Sequence, residues 1–402
     1  MPKHTAQLTE AKQQLDRLVA NARDQLLMPI TIAEVLRRIA DKTADINDID
    51  AIRKNSYHWC ATICRRLFGK KLSLNRSYWG RLYSHHVPPT SLATLAEHNG
   101  DTNGVAEAYV YARLRQTTIS LQAIRKSINE IPRSEFILAE FLSAFESDEK
   151  LKRSIDKAYE VVVHALFNAI AGRVKAQVTV SVSTADAAIL EDFKDFCKLL
   201  LGVDAETPTM TVPARLYRVG GANSRDGGVD LWANFGPAIQ VKHVSLDAAI
   251  APPIVESVSA EHMVIVCLDA DKQVIEVVLK QLGLDSKVRG IITKADLQRW
   301  YGLALGPKHL DDMAAPLFKA LLTEFDDEFP LANPAAIDAL VKERGYDALT
   351  LDGDWSVAEP VVRAPNSKKK PTSKENPAKP KETGTASPEQ SAVAQARPRR
   401  RP

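Results

Sequence analysis

The chain has 402 residues, 45% of them hydrophobic, and its 53 Lys/Arg against 50 Asp/Glu leave a net charge of +3. That is the composition of an ordinary soluble protein with room for two domains and a tail; no apolar run approaches the ~18–20 residues of a membrane span, and the polar start is not that of a signal peptide. Four scattered cysteines (Cys60, Cys64, Cys197, Cys267) are too few for a secreted disulfide framework and point to a reducing cytoplasm.

Taken in chain order, apolar spacings of three and four at Leu8, Ala11, Leu15, Leu18 and Ala22 predict a helix over residues 5–28. Met28-Pro29 is expected to end it, with a second helix from near Thr31. Further helices are expected over 49–68, 90–98, 105–127, 134–146 and 151–171. Strand signals are scarce before residue 174, so residues 1–150 read as an all-α domain. From there the pattern changes: a strand over 174–183, a helix over 186–201, a hairpin over 213–244, and a buried strand at His262–Leu268. A helix over 272–282, a strand near 288–292 and helices at 295–303, 313–325 and 335–344 follow. Alternating strands and helices predict an α/β domain over 151–362. Residues 363–402 are rich in Lys, Pro, Ser and Ala and are expected to be a disordered basic tail.

Charge is unevenly placed. Residues 366–402 carry a balance of +7, so the rest of the chain is slightly acidic. Within it, residues 51–96 hold eight cations (Arg53, Lys54, Arg65, Arg66, Lys70, Lys71, Arg76, Arg81) and no Asp or Glu, interleaved with Tyr57, Trp59, Phe68, Tyr78, Trp79 and Tyr83. A solvated face normally mixes both signs, whereas DNA demands cations for its phosphates and Arg or Lys for guanine edges. These eight residues are therefore candidates for DNA contact. Cys60 and Cys64, one helical turn apart, read as a packed pair, and Asp326-Asp327-Glu328 as a solvated helix end.

The hairpin carries the chemistry. In Gly227–His243, two short strands meet at Phe235-Gly236-Pro237, with Asp230 on the first and Gln240-x-Lys242 on the second. Alternation puts Gln240 and Lys242 on one face. A three-residue turn would set Trp232 opposite Gln240 and Asp230 opposite Lys242, gathering a carboxylate, an amide oxygen and an ammonium; a two-residue turn would send Asp230 to the other face. An acid with a neutral oxygen suits a hard cation such as Mg²⁺, and an adjacent lysine can assist attack by water on a phosphate. His243 points away from Lys242.

This arrangement resembles the PD-(D/E)xK nucleases, with Gln in place of the usual second acid, as in their Mrr-like branch. Ile189–Gly202 looks like the first helix of that core and Ala214–Gly221 like its first strand. The resemblance makes Glu191 the favoured upstream acid, with Glu160 on the preceding helix as its rival. Ile52–Trp59, Ile63–Gly69, Met28–Glu34, Val87-Pro88-Pro89 and Gly228–His243 together resemble the HaeII-type type II restriction endonucleases, over residues ~10–345. The fold implied is an α/β nuclease core of the restriction-endonuclease-like PD-(D/E)xK kind, with an N-terminal all-α domain and a disordered C-terminal tail. The implied activity is Mg²⁺-dependent cleavage of both strands of double-stranded DNA within a short palindrome of the RGCGCY type. Asp230, Gln240 and the Val241 carbonyl would hold the metal, with Glu191 helping, and Lys242 would activate water. A homodimer and a cognate DNA methyltransferase as genetic partner would accompany it. An Mrr-like modification-dependent or repair nuclease is the alternative enzyme; a nuclease-derived DNA-binding protein without activity is the alternative outside enzymes.

Overall fold

Apolar residues at helical spacing account for the first half of the computed structural model, which describes residues 2–70, 72, 81–219 and 229–357. Lys71, Arg76, the glycines at 220–221 and 227–228 and the expected tail at 363–402 lie outside the described residues. Helix α1 (Pro2–Asn21) buries Ala11, Leu15 and Leu18. It stops earlier than expected, and α2 (Leu27–Ala40) begins before Pro29 rather than after it. A first-turn proline needs no intrahelical donor, so Met28-Pro29 opens a helix instead of closing one. Leu26, in the left-handed region at φ 51°, makes the corner. Helices α3 (Ile49–Phe68), α4 (Pro89–Asp101) and α5 (Val105–Glu130) complete this layer.

Helix α2 is buried from Leu27 through Leu36 apart from Met28, so its Glu34 is enclosed and must be paired. The cation comes from the far end of the chain: Arg344 Nη1 lies 2.6 Å from Glu34 Oε1, and Tyr111 donates to the same oxygen at 2.5 Å. Glu107 receives the Tyr346 hydroxyl and an Asn99 amide at 2.7 Å. Ala332, Ile337, Leu340, Tyr346 and Trp355 join the N-terminal hydrophobic core. Residues 332–357, expected in the α/β part, thus pack into the helical layer. Helix α5 is common to both cores, with Ala106–Leu114 in the first and Leu121, Ile124 and Ile128 in the second.

The second core is built on a sheet. After α6 (Leu138–Glu146) and α7 (Ile155–Arg173), an arm leaves the body: strand β1 (Gln177–Ser181), helices α8 (Ala187–Asp192) and α9 (Lys194–Leu201), and strand β2 (Thr209–Pro213), antiparallel to β1. Ala214 N–H bonds Ala176 C=O at 2.9 Å, closing the base of the arm. Strands β3 (Leu216–Arg218), β4 (Leu231–Ala233), β5 (Ala238–Leu246), β6 (Met263–Ala270) and β7 (Val288–Thr293) form one five-stranded sheet in that order. The first three strands are antiparallel and the last three parallel. Helix α10 (Ala251–Ser257) links β5 to β6, and α11 (Lys272–Gln281) links β6 to β7.

Both faces of the sheet are covered, as its parallel half requires. Leu231, Ile239, Val241 and Val266 face α7 together with α12 (Lys294–Ala304) and α13 (Leu310–Glu328). Ala238, Met263, Ile265 and Cys267 face α10 and α11. Helix α14 (Pro334–Glu343) returns the chain to the helical layer. The chain is thus a mixed helical and sheet protein, with an all-α N-terminal layer.

Among the described residues Arg344 is the cation that pairs with both buried Glu34 and buried Glu107, at 2.6 and 3.7 Å. Arg344→Ala should leave two enclosed acids unpaired and cost about 3–5 kcal/mol of stability in denaturant unfolding. A loss below about 1 kcal/mol would show that the cluster is solvated.

Candidate active site

The hairpin turn has the three residues anticipated but sits one residue earlier. Trp232 pairs with Ala238 and Leu231 with Ile239, and Ala233 N–H donates to Pro237 C=O at 2.9 Å, leaving Asn234-Phe235-Gly236 as the turn. Continued by one step, this register sets Asp230 opposite Gln240, not Lys242. Because the slip is of two positions, parity is retained and Asp230 stays on the face of Gln240 and Lys242. The three residues do come together.

Strand β4 begins at Leu231, and among the described residues no strand lies beside β5 on that side beyond Ile239. The β5 amides there are taken up by carboxylates instead. Val241 N–H donates to Asp230 Oδ2 at 2.8 Å, and His243 N–H donates to Asp156 Oδ1 at 2.7 Å. Gln240 Nε2 donates to the same Asp230 oxygen at 2.7 Å. The Gln240 side chain is only 2% exposed, yet its Oε1 has no partner among the described residues. In a strand the N–H and C=O of one residue point to the same side. The Val241 carbonyl therefore shares this edge with Asp230. A register shift between Lys242 and Ser245 in the β5–β6 ladder sits just beyond, a bulge of the kind that re-aims side chains.

Helix α7 supplies the rest. It packs directly on β5 and carries Asp156, Lys157 and Glu160 along its first turns. Glu160 is buried and both its oxygens receive Lys157 Nζ, at 2.7 and 2.8 Å. Burial pushes the Glu160 carboxyl up to about 7, against the pull of Lys157, with the nearby Asp230 charge adding to the rise. Asp230 is also raised, again mainly by burial, and is held down by the Val241 amide and by Lys157 and Lys242. Two carboxyls that burial and mutual repulsion keep reluctant to ionise favour a cation placed between them.

Glu191, the favoured upstream acid, is elsewhere. It is exposed on α8 in the arm, where the charge it acts on is Lys194. The helix lying against the sheet is α7, one element earlier, so the acid beside Asp230 is its rival Glu160. Sequence spacing misled here because the arm interrupts the core between its helix and its first strand.

Three further groups escaped the sequence reading. Asp156 and Lys157 could have been suspected from their place one turn before Glu160. Arg218, on β3, is shared by Glu328 at 2.8 Å, Glu324 at 3.7 Å and Glu160 at 3.9 Å. No local pattern announces it. Asp326-Asp327-Glu328, expected as a solvated helix end, instead contributes ion pairs, with Asp326 bound to both nitrogens of an Arg125 fork at 2.6 and 2.7 Å. His243 turns its ring to Glu146 at 3.4 Å and Tyr159, away from Lys242 as alternation requires. Among the described residues, no three His, Cys, Asp or Glu converge as a ready cage for a metal ion. The donor set is one of a carboxylate, an amide oxygen and a backbone carbonyl, which suits a hard cation that retains its own waters.

On α3, Arg53, Lys54, Arg65 and Arg66 are exposed, as are Lys70 just after it and Arg81 further on. They are not equally free. Arg66 bonds Glu343 at 2.6 Å and Arg53 bonds Asp50 at 3.3 Å. Lys54 and Arg65 share one exposed stripe with His58 and Thr62 between them. Cys60 and Cys64 are buried, with Sγ atoms 3.7 Å apart.

The family model for the HaeII restriction endonuclease matches residues 11–346. The type II restriction enzyme HaeII of Haemophilus aegyptius is 35% identical over 340 residues, covering 84% of this chain and 96% of that one. The type II restriction enzyme NgoBI of Neisseria gonorrhoeae is 35% identical over 347 residues, covering 85% and 98%. No solved structure matches the chain. The match runs through the helical layer, the sheet and α14 alike, and the chain belongs to the HaeII restriction endonuclease family.

Proposed function

We propose that this chain is a type II restriction endonuclease: a Mg²⁺-dependent enzyme that cuts both strands of double-stranded DNA at a short palindrome, on a PD-(D/E)xK-like core with Gln240 in the place of the second acid. The names of both relatives support the activity. The observation that carries the chemistry is the buried, unpartnered Gln240 Oε1 beside Asp230, with Lys242 on the same face. A target of the RGCGCY type follows from the family resemblance. A cytoplasmic homodimer with a cognate methyltransferase suits such an enzyme, since a palindrome has two-fold symmetry and the host's own sites need protection.

Asp230, Gln240 Oε1 and the Val241 carbonyl would hold Mg²⁺, with Glu160 in the role first given to Glu191. Bound there, a divalent cation supplies Lewis-acid stabilisation of the phosphoryl oxygens and a lowered pKa for water. Lys242 orients the attacking water and offsets charge developing on the phosphate. Lys157 holds Glu160 and Asp230 together while the cation is away. Exposed Lys54 and Arg65, with Arg53, Lys70 and Arg81, contact the DNA.

Asp230→Ala should abolish plasmid cleavage while leaving DNA binding in Ca²⁺ largely intact, and a mutant cutting at near wild-type rate with Mg²⁺ would sink the site. Gln240→Glu should keep measurable activity. Cleavage of unmodified plasmid at fixed positions separates this reading from a modification-dependent nuclease.

The raised carboxyls give a pH dependence with a definite sign. Glu160 holds its proton up to about 7, so a cation must displace that proton at lower pH. Mg²⁺ affinity should therefore climb as pH rises through about 7, with proton release on binding, measurable by calorimetry in buffers of different ionisation enthalpy. Glu160→Gln should flatten that climb; an unchanged proton count would place the titrating group elsewhere.

Arg65→Ala should shallow the log–log salt dependence of DNA binding by about one unit, the mark of one lost phosphate contact. Arg66→Ala should change it less, because Glu343 already neutralises that guanidinium. Equal effects from both would mean that Glu343 releases Arg66 to the DNA.

A further inference from the structure

The arm between α7 and β3 has secondary structure but almost no interior. Over residues 172–215 only Leu190, Val203 and Asp204 are buried. A lone two-stranded hairpin is marginal in water, and short helices owe their stability to a buried apolar face. Here that face is open. Ile189, Phe193, Phe196 and Leu200 follow one another at spacings of four, three and four along α8 and α9, which places them in one seam, with Leu199 beside them. All five are between 58% and 85% exposed.

We infer that this seam is the dimer interface of the protein, α9 of one chain packing across α9 of a second copy about a two-fold axis. The inference rests on the restriction-enzyme reading only for its use, which is to set two active sites on two strands. Three observations select a second copy. Five large side chains at that exposure leave on the order of 500 Å² of apolar surface per chain, at roughly 100 Å² each. Pairing the faces doubles this to about 1,000 Å², the threshold for a specific interface. The polar flank carries Glu191, Asp192 and Asp195 against Lys194 and Lys198, a net −1. Two such faces do not repel strongly, whereas DNA or an anionic membrane would call for a clear excess of cations. Finally, the arm is tied at its base by the Ala176–Ala214 hydrogen bond, so the seam is held out from the body at a fixed root.

Cys197 provides a reporter that leaves the seam intact. It lies midway along α9 and is partly exposed, while Cys60, Cys64 and Cys267 are buried. A short bismaleimide should link two full-length chains through Cys197, and Cys197→Ser should abolish the link. In light scattering at micromolar concentration the wild type should have twice the 44.3 kDa chain mass. Phe196→Glu with Leu200→Glu, and separately Leu199→Glu, should shift it to 44.3 kDa. These side chains belong to none of the three hydrophobic cores of the described residues, so far-UV circular dichroism of the helical body should be retained. On a one-site plasmid the variants should give nicked circles in place of linear product. Variants that stay dimeric, a wild-type dimer that fails to cross-link through Cys197, or a wild type that is monomeric would each overturn the interface. A monomeric wild type that still cuts DNA would overturn it while leaving the nuclease reading intact. A dimer through this seam that cuts no DNA would do the reverse.

Discussion

The edge of β5 beyond Ile239 is the constraint from which the site follows. Among the described residues β4 pairs with β5 at Leu231 and Trp232 alone, and the next amides on that edge face no described strand. The Val241 amide is enclosed, and leaving it without an acceptor would cost about 1–3 kcal/mol. Asp230 accepts from it, and exposed Asp156 accepts from His243 further along the same edge. Asp230, just before β4, is thereby held in a partly buried place, and buried Glu160 lies a turn beyond Asp156 on α7. Lys157, Lys242 and Arg218 surround them. The acids are needed by the backbone before any ligand is considered, and that is why they stand so close together.

A second constraint works at the other end of the molecule. Helix α2 is buried on nearly every side, yet it carries Glu34, whose charge is met by a cation from the far end of the chain. Arg344 reaches in from the segment after α14, and Tyr346 with Trp355 closes over the same core. The last described residues are thus part of the first domain's interior. Helix α5 contributes to both cores, and the Arg125–Asp326 fork ties its second half to α13.

Much of this was legible in the residues themselves. The grouping of Asp230, Gln240 and Lys242 survives a displaced turn because moving the turn by one residue shifts the register by two positions and preserves the face, whereas a shift of one would have destroyed it. The helices over 49–68 and 105–127 were readable because their apolar faces keep a strict period. What sequence could not supply was tertiary. Residues 51–96 hold no acid, but Glu343, nearly 300 residues later, folds against Arg66. Pro29 reads equally well as a stop and as a start, and only the packing of Leu27 and Ile30 decides. Arg218 has no motif at all; its importance comes from three acids supplied by two other helices.

The mistaken choice of Glu191 has an instructive cause. The segment 186–201 has the right length, amphipathicity and acid to be the helix that backs the sheet, and it directly precedes the strands. Yet an amphipathic pattern says only that a face must be buried, not against what. The sheet face that such a helix would cover is already filled by Val162, Val163 and Leu166 of α7, and Glu160 projects from the same helix. With that position taken, the apolar face of α8 and α9 is left uncovered among the described residues. The Ala176–Ala214 closure shows how the arm is accommodated: its two ends meet, so it enters and leaves the body at one point and leaves the α7–β3 packing undisturbed. That leftover apolar period is the surface on which the proposed dimer would be built.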